Sequence, residues 1–113
     1  MNFISEMAKL GAKISAATIL SQLELSALAL EDCNKFCKVD TGETRASSYR
    51  ASEPVKGRLI WSSKHARYAY YIGEADRSKN PLASRMWAHK AAALYQKKWE
   101  QTARATFNAA MKL

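Results

Sequence analysis

The fold class of this chain depends on the stretch HARYAYYIG, residues 65–73. It contains three tyrosines and an isoleucine, residue types that are favoured in β-strands, and it ends at Gly73. Residues 55–61 have a similar strand-like character, with Gly57 as a candidate β-bulge. Together the two stretches predict a small antiparallel sheet of two to four strands.

Long helices are predicted on both sides of this sheet. Apolar residues recur at three- and four-residue spacing from residue 3 to residue 37, and no proline interrupts the run. Asn80 and Pro81 are typical of the N-cap and the first position of a helix, and the helical pattern continues to about Met111.

The whole chain of 113 residues is therefore predicted to form one α+β domain, with the C-terminal helix packed on the sheet. Trp87 and Trp99 belong to the apolar stripe of that helix, and we expect them to anchor it. The predicted parts are an N-terminal helix (1–38), a corner followed by strands (39–79), and a C-terminal helix (80–113).

The polar stretch VDTGETRASSYR, residues 39–50, is predicted to form a structural corner. Asp40 and Glu43 have the spacing of a capping box for a short helical turn over residues 41–46, and Gly42 allows a tight change of direction. Pepsin-like proteases also contain Asp-Thr-Gly, but between strongly apolar β-segments, whereas the flanks here are polar and helical. The residues of the predicted corner are Asp40, Thr41, Gly42, Glu43 and Arg45.

Few side chains suggest catalysis or metal binding. Cys33 and Cys37 lie four residues apart on one helix, which favours two reduced thiols over a disulfide, and a zinc site would need two further ligands. His65 and His89 are the only histidines and are isolated in the sequence. We therefore expect no enzyme activity, no metal and no cofactor.

Positive charge is concentrated at the C-terminal end. Residues 77–113 contain eight Lys and Arg and one Glu, which accounts for +7 of the net +8. Lys90, Lys97 and Arg104 recur every seven residues and should form a basic ridge along one side of the helix. Such a ridge fits DNA, an acidic protein partner, or simply solvent.

A membrane-spanning segment is not expected. Four charged residues interrupt the apolar N-terminal third, and the N-terminus lacks the basic start and cleavage site of a signal peptide. These residues are Lys9, Lys13, Glu24 and Glu31. The sequence therefore predicts synthesis and residence in a cytoplasm.

Four motifs follow one another between residues 38 and 100: DTGxxRxS at 40–47, YAYYxG at 68–73, NPxAxxxW at 80–87 and KKW at 97–99. Their order and spacing resemble the small neck and tail-completion proteins of tailed bacteriophages, a group often labelled minor capsid proteins. Thr44 departs from the pattern, because an apolar residue is usual there, so the corner should pack less firmly.

This resemblance implies two helices on a small antiparallel sheet and no catalytic site. It also implies a homo-oligomeric ring, sixfold in symmetry, in the connector between capsid and tail. The partners would be copies of the chain, neighbouring neck and tail proteins, and DNA in transit, in a virion assembled in the host cytoplasm. The alternative is a small basic nucleic-acid-binding protein that uses its C-terminal helix.

Overall fold

The computed structural model describes residues 3–37, 39, 42–73 and 77–112, and these residues form helices joined by turns. No strand occurs in this described part of the chain, so the predicted α+β class is wrong and the fold is mostly helical. The elements are α1 (Phe3–Asn34), α2 (Glu43–Ala51), a short 3-10 turn (Pro54–Lys56), α3 (Ala66–Tyr71) and α4 (Trp87–Met111).

The stretch at 65–73, predicted to be a strand, forms α3. Its helical spacing buries Ala66 and packs Ala69 and Tyr70 against the core, while Tyr68 and Tyr71 remain exposed. Tyrosine prefers strands only because it packs well on a half-buried pleated surface. Here the helical arrangement brings one small and one aromatic side chain inward together, and this packing outweighs the preference.

The second predicted strand, residues 55–61, is also absent. Glu53 and Arg58 exchange two backbone hydrogen bonds of 2.8 and 3.1 Å, but this antiparallel bridge is isolated. Gly57 is not a bulge: with φ of 69° it is the left-handed residue that ends the 3-10 turn. The segment therefore lacks a neighbouring strand among the described residues, so no ladder extends from the bridge.

Helices α1 and α4 form a long antiparallel pair. Ser21 near the middle of α1 donates a hydrogen bond to the carbonyl of Ala103, whereas Asp32 near its end contacts Trp99. The other elements gather at the C-terminal end of α1, and the molecule is 64 Å long but only 25 and 18 Å across. Residues 5–24 of α1 and 102–111 of α4 extend beyond this body, except at Gln22, which contacts the 3-10 turn, and we call them the arm.

The body has an aromatic core in place of the predicted helix-on-sheet interface. Trp87 is fully buried beside Cys33, Phe36 and Cys37, and Trp61 and Tyr70 meet its ring edge-to-face at centroid distances of 6.0 and 4.7 Å. Trp87 thus fixes the start of α4 to the end of α1.

Helix α4 begins at Trp87 and not at Asn80. Met86 precedes it with φ of 49°, in the N-cap position. Asn80 is buried, and its side-chain amide donates to the carbonyls of Lys35 and Cys37 at 3.0 and 2.9 Å. Carbonyls at a helix end need such donors because no helical N–H reaches them, so Asn80 ties its loop to the end of α1.

Candidate interaction surfaces

The described residues contain no cluster suited to metal binding, and neither Ser47 nor Ser48 is hydrogen-bonded to a histidine. Ser47 and Ser48 are buried in α2, where their hydroxyls donate to the carbonyls of Thr44 and Arg45. His65 precedes α3 as its N-cap residue.

The two thiols are buried and neither forms a disulfide. Burial raises the pKa of Cys33 to about 12 and that of Cys37 to about 11. Both therefore remain protonated at neutral pH, and a protonated thiol is a poor nucleophile and a poor metal ligand. Their position explains them as parts of the core.

The predicted corner lies only partly in the described chain. Asp40 and Thr41 are outside the described residues, so the capping box remains a prediction. Gly42, with φ of 83°, is the N-cap of α2, and the Glu43 carboxylate pairs with Arg50 seven residues further along the helix. Arg45 donates to the carbonyl of Asn34 at 2.9 Å, which joins α2 to the end of α1.

Asn34 is the centre of a polar network that the sequence analysis missed. Its buried side-chain amide donates to the Ser48 hydroxyl at 2.9 Å, and its side-chain carbonyl accepts from the Trp61 indole N–H at 2.9 Å. Together with the bond from Arg45, these contacts join α1, α2 and the segment after the 3-10 turn. A buried amide satisfied on both sides fixes orientation as well as adding stability.

Asp32 forms a second polar cluster, between α1 and α4. The residue is 1% exposed, and its carboxylate accepts from the Trp99 indole N–H at 2.7 Å and from the Lys98 ammonium at 3.3 Å. Lys35 also pairs with this carboxylate, at 2.8 Å. Burial by itself would raise the pKa of Asp32, but the hydrogen bonds from Lys35, Trp99 and Lys98 outweigh it, and the net pKa is lowered.

Trp99 therefore anchors α4 to α1, not to a sheet. Phe36 and Tyr95 stack one turn away at 6.2 Å, and the ammonium groups of Lys35 and Lys98 lie 5.0 and 5.1 Å from the Tyr95 ring. Cation–π contacts of this kind add to the ion pairs without requiring full burial. The cluster holds the two long helices in one register where they leave the body.

The three residues of the predicted basic ridge are all exposed on α4. Lys90 lies over the Phe36 ring at 5.0 Å, whereas Lys97 and Arg104 make no ion pair in the described chain. Glu100 does not pair with either of them as its spacing suggested; it accepts a hydrogen bond from Gln96 instead. The positive charge of Lys97 and Arg104 is thus not neutralised by an ion pair among the residues that the structure describes.

The arm exposes apolar side chains on α1. Only Ala17 is buried among the residues that form the arm, although α1 carries large apolar side chains on several faces. Helix α4 alone cannot cover all of these side chains, because it packs against only one face of α1. The exposed ones on α1 are Met7, Leu10, Ile14, Ile19, Leu20 and Leu23.

Helix α1 is also long and apolar enough to cross a membrane, contrary to the expectation from its charged residues. Over Ser5–Asn34 its most apolar 18-residue window has a mean hydropathy of 1.2, and 22% of that window is buried. This is a statement about length and composition. A helix at the core of a soluble assembly has the same properties.

No protein-family model, curated protein or solved structure matches this chain. The likeness to phage neck proteins therefore rests on the four motifs alone. Two of them have a different structure from the one that the likeness implied, because YAYYIG is helical and the helix after NPLASRMW begins only at Trp87.

Proposed function

We propose that this chain is a non-enzymatic structural protein of a tailed-phage virion, acting as a self-associating subunit of the head–tail connector. The observation that carries the proposal is the exposed apolar surface of the arm. Soluble monomers rarely expose a contiguous apolar patch larger than about 300–600 Å², and a larger one marks an interaction site. On one side of the arm, two of these exposed apolar side chains, Leu20 and Leu23, are 45% and 39% exposed.

The shape of the subunit supports the same function. The arm can pack against neighbouring subunits, because the body is stabilised by its own aromatic core and does not depend on the arm. The order of the four motifs adds the phage context, although the sheet expected with them is not part of the fold.

A sixfold ring is part of the proposal. Subunits in a closed ring meet head-to-tail, through two different surfaces of the same chain. The arm offers an apolar surface, and α4 offers the basic ridge of Lys90, Lys97 and Arg104. In this arrangement the ridge faces the DNA channel or an acidic surface of a neighbouring neck or tail protein.

Electron microscopy of the purified full-length chain, combined with its mass in solution, tests this function. We expect closed rings whose mass is a fixed multiple of the 12.6 kDa chain. Particles of one chain at every concentration would contradict the proposal.

A second candidate function, non-specific DNA binding, is favoured by the basic ridge, whose residues form no ion pair with the described part of the chain. Fluorescence anisotropy with a labelled duplex should then give weak binding without sequence preference. The affinity should fall with salt at a logarithmic slope of about −0.9 for each phosphate contacted. Reversal of the ridge to glutamate should abolish binding, whereas Lys56→Glu and Lys64→Glu, on the body, should reduce it only slightly. A monomer that binds in this way would favour this function over the connector.

A further inference from the structure

One side of α1 carries a heptad pattern that the described chain leaves uncovered. Ala16, Leu20, Leu23 and Ala27 alternate at spacings of four and three, and all four are exposed. This spacing places side chains in a row along one side of a helix and is the pattern by which helices pack in coiled coils. We call these four residues the α1 seam.

The seam is not the surface that α1 uses to bind α4. Ala17 is fully buried, and Ser21 contacts the backbone of α4, so α4 lies against a neighbouring side of α1. On another side of α1, Gln22 donates to the carbonyl of Val55 in the 3-10 turn at 2.7 Å. The seam therefore lies between two occupied sides and is available to a further helix.

The charges beside the seam are segregated along the helix. Lys9 and Lys13 lie before its apolar centre, and Glu24 and Glu31 lie after it. Glu6 also lies before the centre and pairs with Lys9 at 3.8 Å between exposed side chains; such pairs contribute little, and this half keeps a net charge of +1. The seam thus has a basic half, an apolar centre and an acidic half.

We propose that the α1 seam packs antiparallel against the same seam of a second copy of this chain, about a two-fold axis near Leu20. The inference rests on the proposed self-association and names its partner and geometry. An antiparallel pair places the basic half of each helix opposite the acidic half of the other. A parallel pair would place like charges together, which costs affinity and excludes that orientation.

The length of α1 suits such a pair. Lys9 and Glu31 are about 33 Å apart along the helix, given a rise of 1.5 Å per residue. Beside Leu20 and Glu24, a shallow groove on α4 is lined by small side chains: Ala105, Thr106, Ala109 and Ala110. Small residues allow close approach, so the two arms together make an antiparallel four-helix bundle with the seams at its centre.

The two-fold contact is compatible with a ring if two rings stack face to face, because assemblies with both a ring axis and two-fold axes are dihedral. A lipid bilayer is the competing occupant of an apolar helix. It fits the seam less well, since burial of the charged groups at both ends of the seam in hydrocarbon would be costly.

Charge reversal in the full-length chain tests the geometry by sedimentation equilibrium at low salt. K9E/K13E should face acid with acid, and E24K/E31K should face base with base, so each should weaken association at least tenfold. An equimolar mixture of the two variants should associate like the wild type. The variant with all four changes should also do so by itself, because its two halves are again complementary only in the antiparallel orientation. K56E/K64E is the matched control on the body and should leave association unchanged.

Circular dichroism establishes that each variant is folded before its mass is measured. Association of both double variants at wild-type strength would overturn the two-fold seam, and so would a wild-type chain that is monomeric in solution and floats with anionic phospholipid vesicles. Rings that form with wild-type strength in both double variants would refute the seam and leave the connector function standing. A dimer that responds to the charge reversals as expected but never forms a ring would support the seam and refute the connector function.

Discussion

Replacement of Asp32 should weaken the attachment of α4 to α1 more than the loss of any other single acid. The carboxylate is 1% exposed and holds three donors, the Trp99 indole N–H and the ammonium groups of Lys35 and Lys98. Asp32→Ala removes all three contacts at once and leaves two lysines side by side near the Tyr95 ring.

The magnitude follows from these contacts. A hydrogen bond to a charged group contributes about 1.5–3 kcal/mol. A pair with a lysine that is nearly half exposed contributes about 0.2–1 kcal/mol. The desolvation cost of the buried carboxylate disappears with it, which offsets part of the sum. We therefore expect Asp32→Ala to lower the free energy of unfolding by about 2–3 kcal/mol, and Asp32→Asn, which keeps an acceptor for Trp99, by about 1 kcal/mol.

Urea denaturation followed by tryptophan fluorescence measures these differences. All variants should be compared at one protein concentration, because self-association makes apparent stability depend on concentration. Glu100→Ala, on the exposed side of α4, is the control and should change stability by no more than about 0.5 kcal/mol. An Asp32→Ala chain as stable as the Glu100→Ala chain would refute the assigned role of the cluster.

The pH dependence has a defined sign. The pKa of Asp32 is lowered from 3.8, so the charged form is favoured in the folded state. Its contribution is complete above the unfolded value and is lost as pH falls through the folded value. The stability difference between wild type and Asp32→Asn should therefore be largest near neutral pH and shrink below about pH 4.

Three further predictions concern other residues. Trp87→Ala should cost about 3–5 kcal/mol and abolish the cooperative unfolding transition, whereas Trp99→Phe, which keeps the ring but loses the indole N–H, should stay folded with a smaller loss. Asn34→Ala should lower the free energy of unfolding by about 2–3 kcal/mol, because it leaves the Trp61 indole N–H without its acceptor and removes the bond to the Ser48 hydroxyl. The Ser52 hydroxyl accepts from the Ile60 N–H at 2.8 Å in a less buried position, so Ser52→Ala should cost less. The triple variant K90E/K97E/R104E should melt within a few degrees of the wild type, since exposed changes cost at most about 0.5 kcal/mol each, and a collapse of the fold would show that the ridge is structural.

The long helices could be predicted because an apolar repeat of three and four residues continues through each of them without a proline. The sheet could not be excluded in the same way. In HARYAYYIG the tyrosines favour a strand locally. The core contacts that favour a helix there are made with Trp87, eighteen residues beyond Ala69 and outside any local pattern.

The predicted start of α4 at Asn80 is wrong for a related reason. Asn followed by Pro is equally suited to an N-cap and to a turn, and the distant carbonyls of Lys35 and Cys37 decide between them. The Asp32 and Asn34 clusters have no local pattern at all. Asp32 is paired with residues 66 and 67 positions away, so only the antiparallel arrangement of α1 and α4 brings these groups together.

Self-association through the arm is the central claim, and the mass of the purified chain as a function of concentration tests it most directly. Light scattering on the column-purified protein should show a mass that rises with concentration toward a fixed multiple of 12.6 kDa. A constant mass of one chain, in a fully folded protein at the highest concentration reached, would contradict the account.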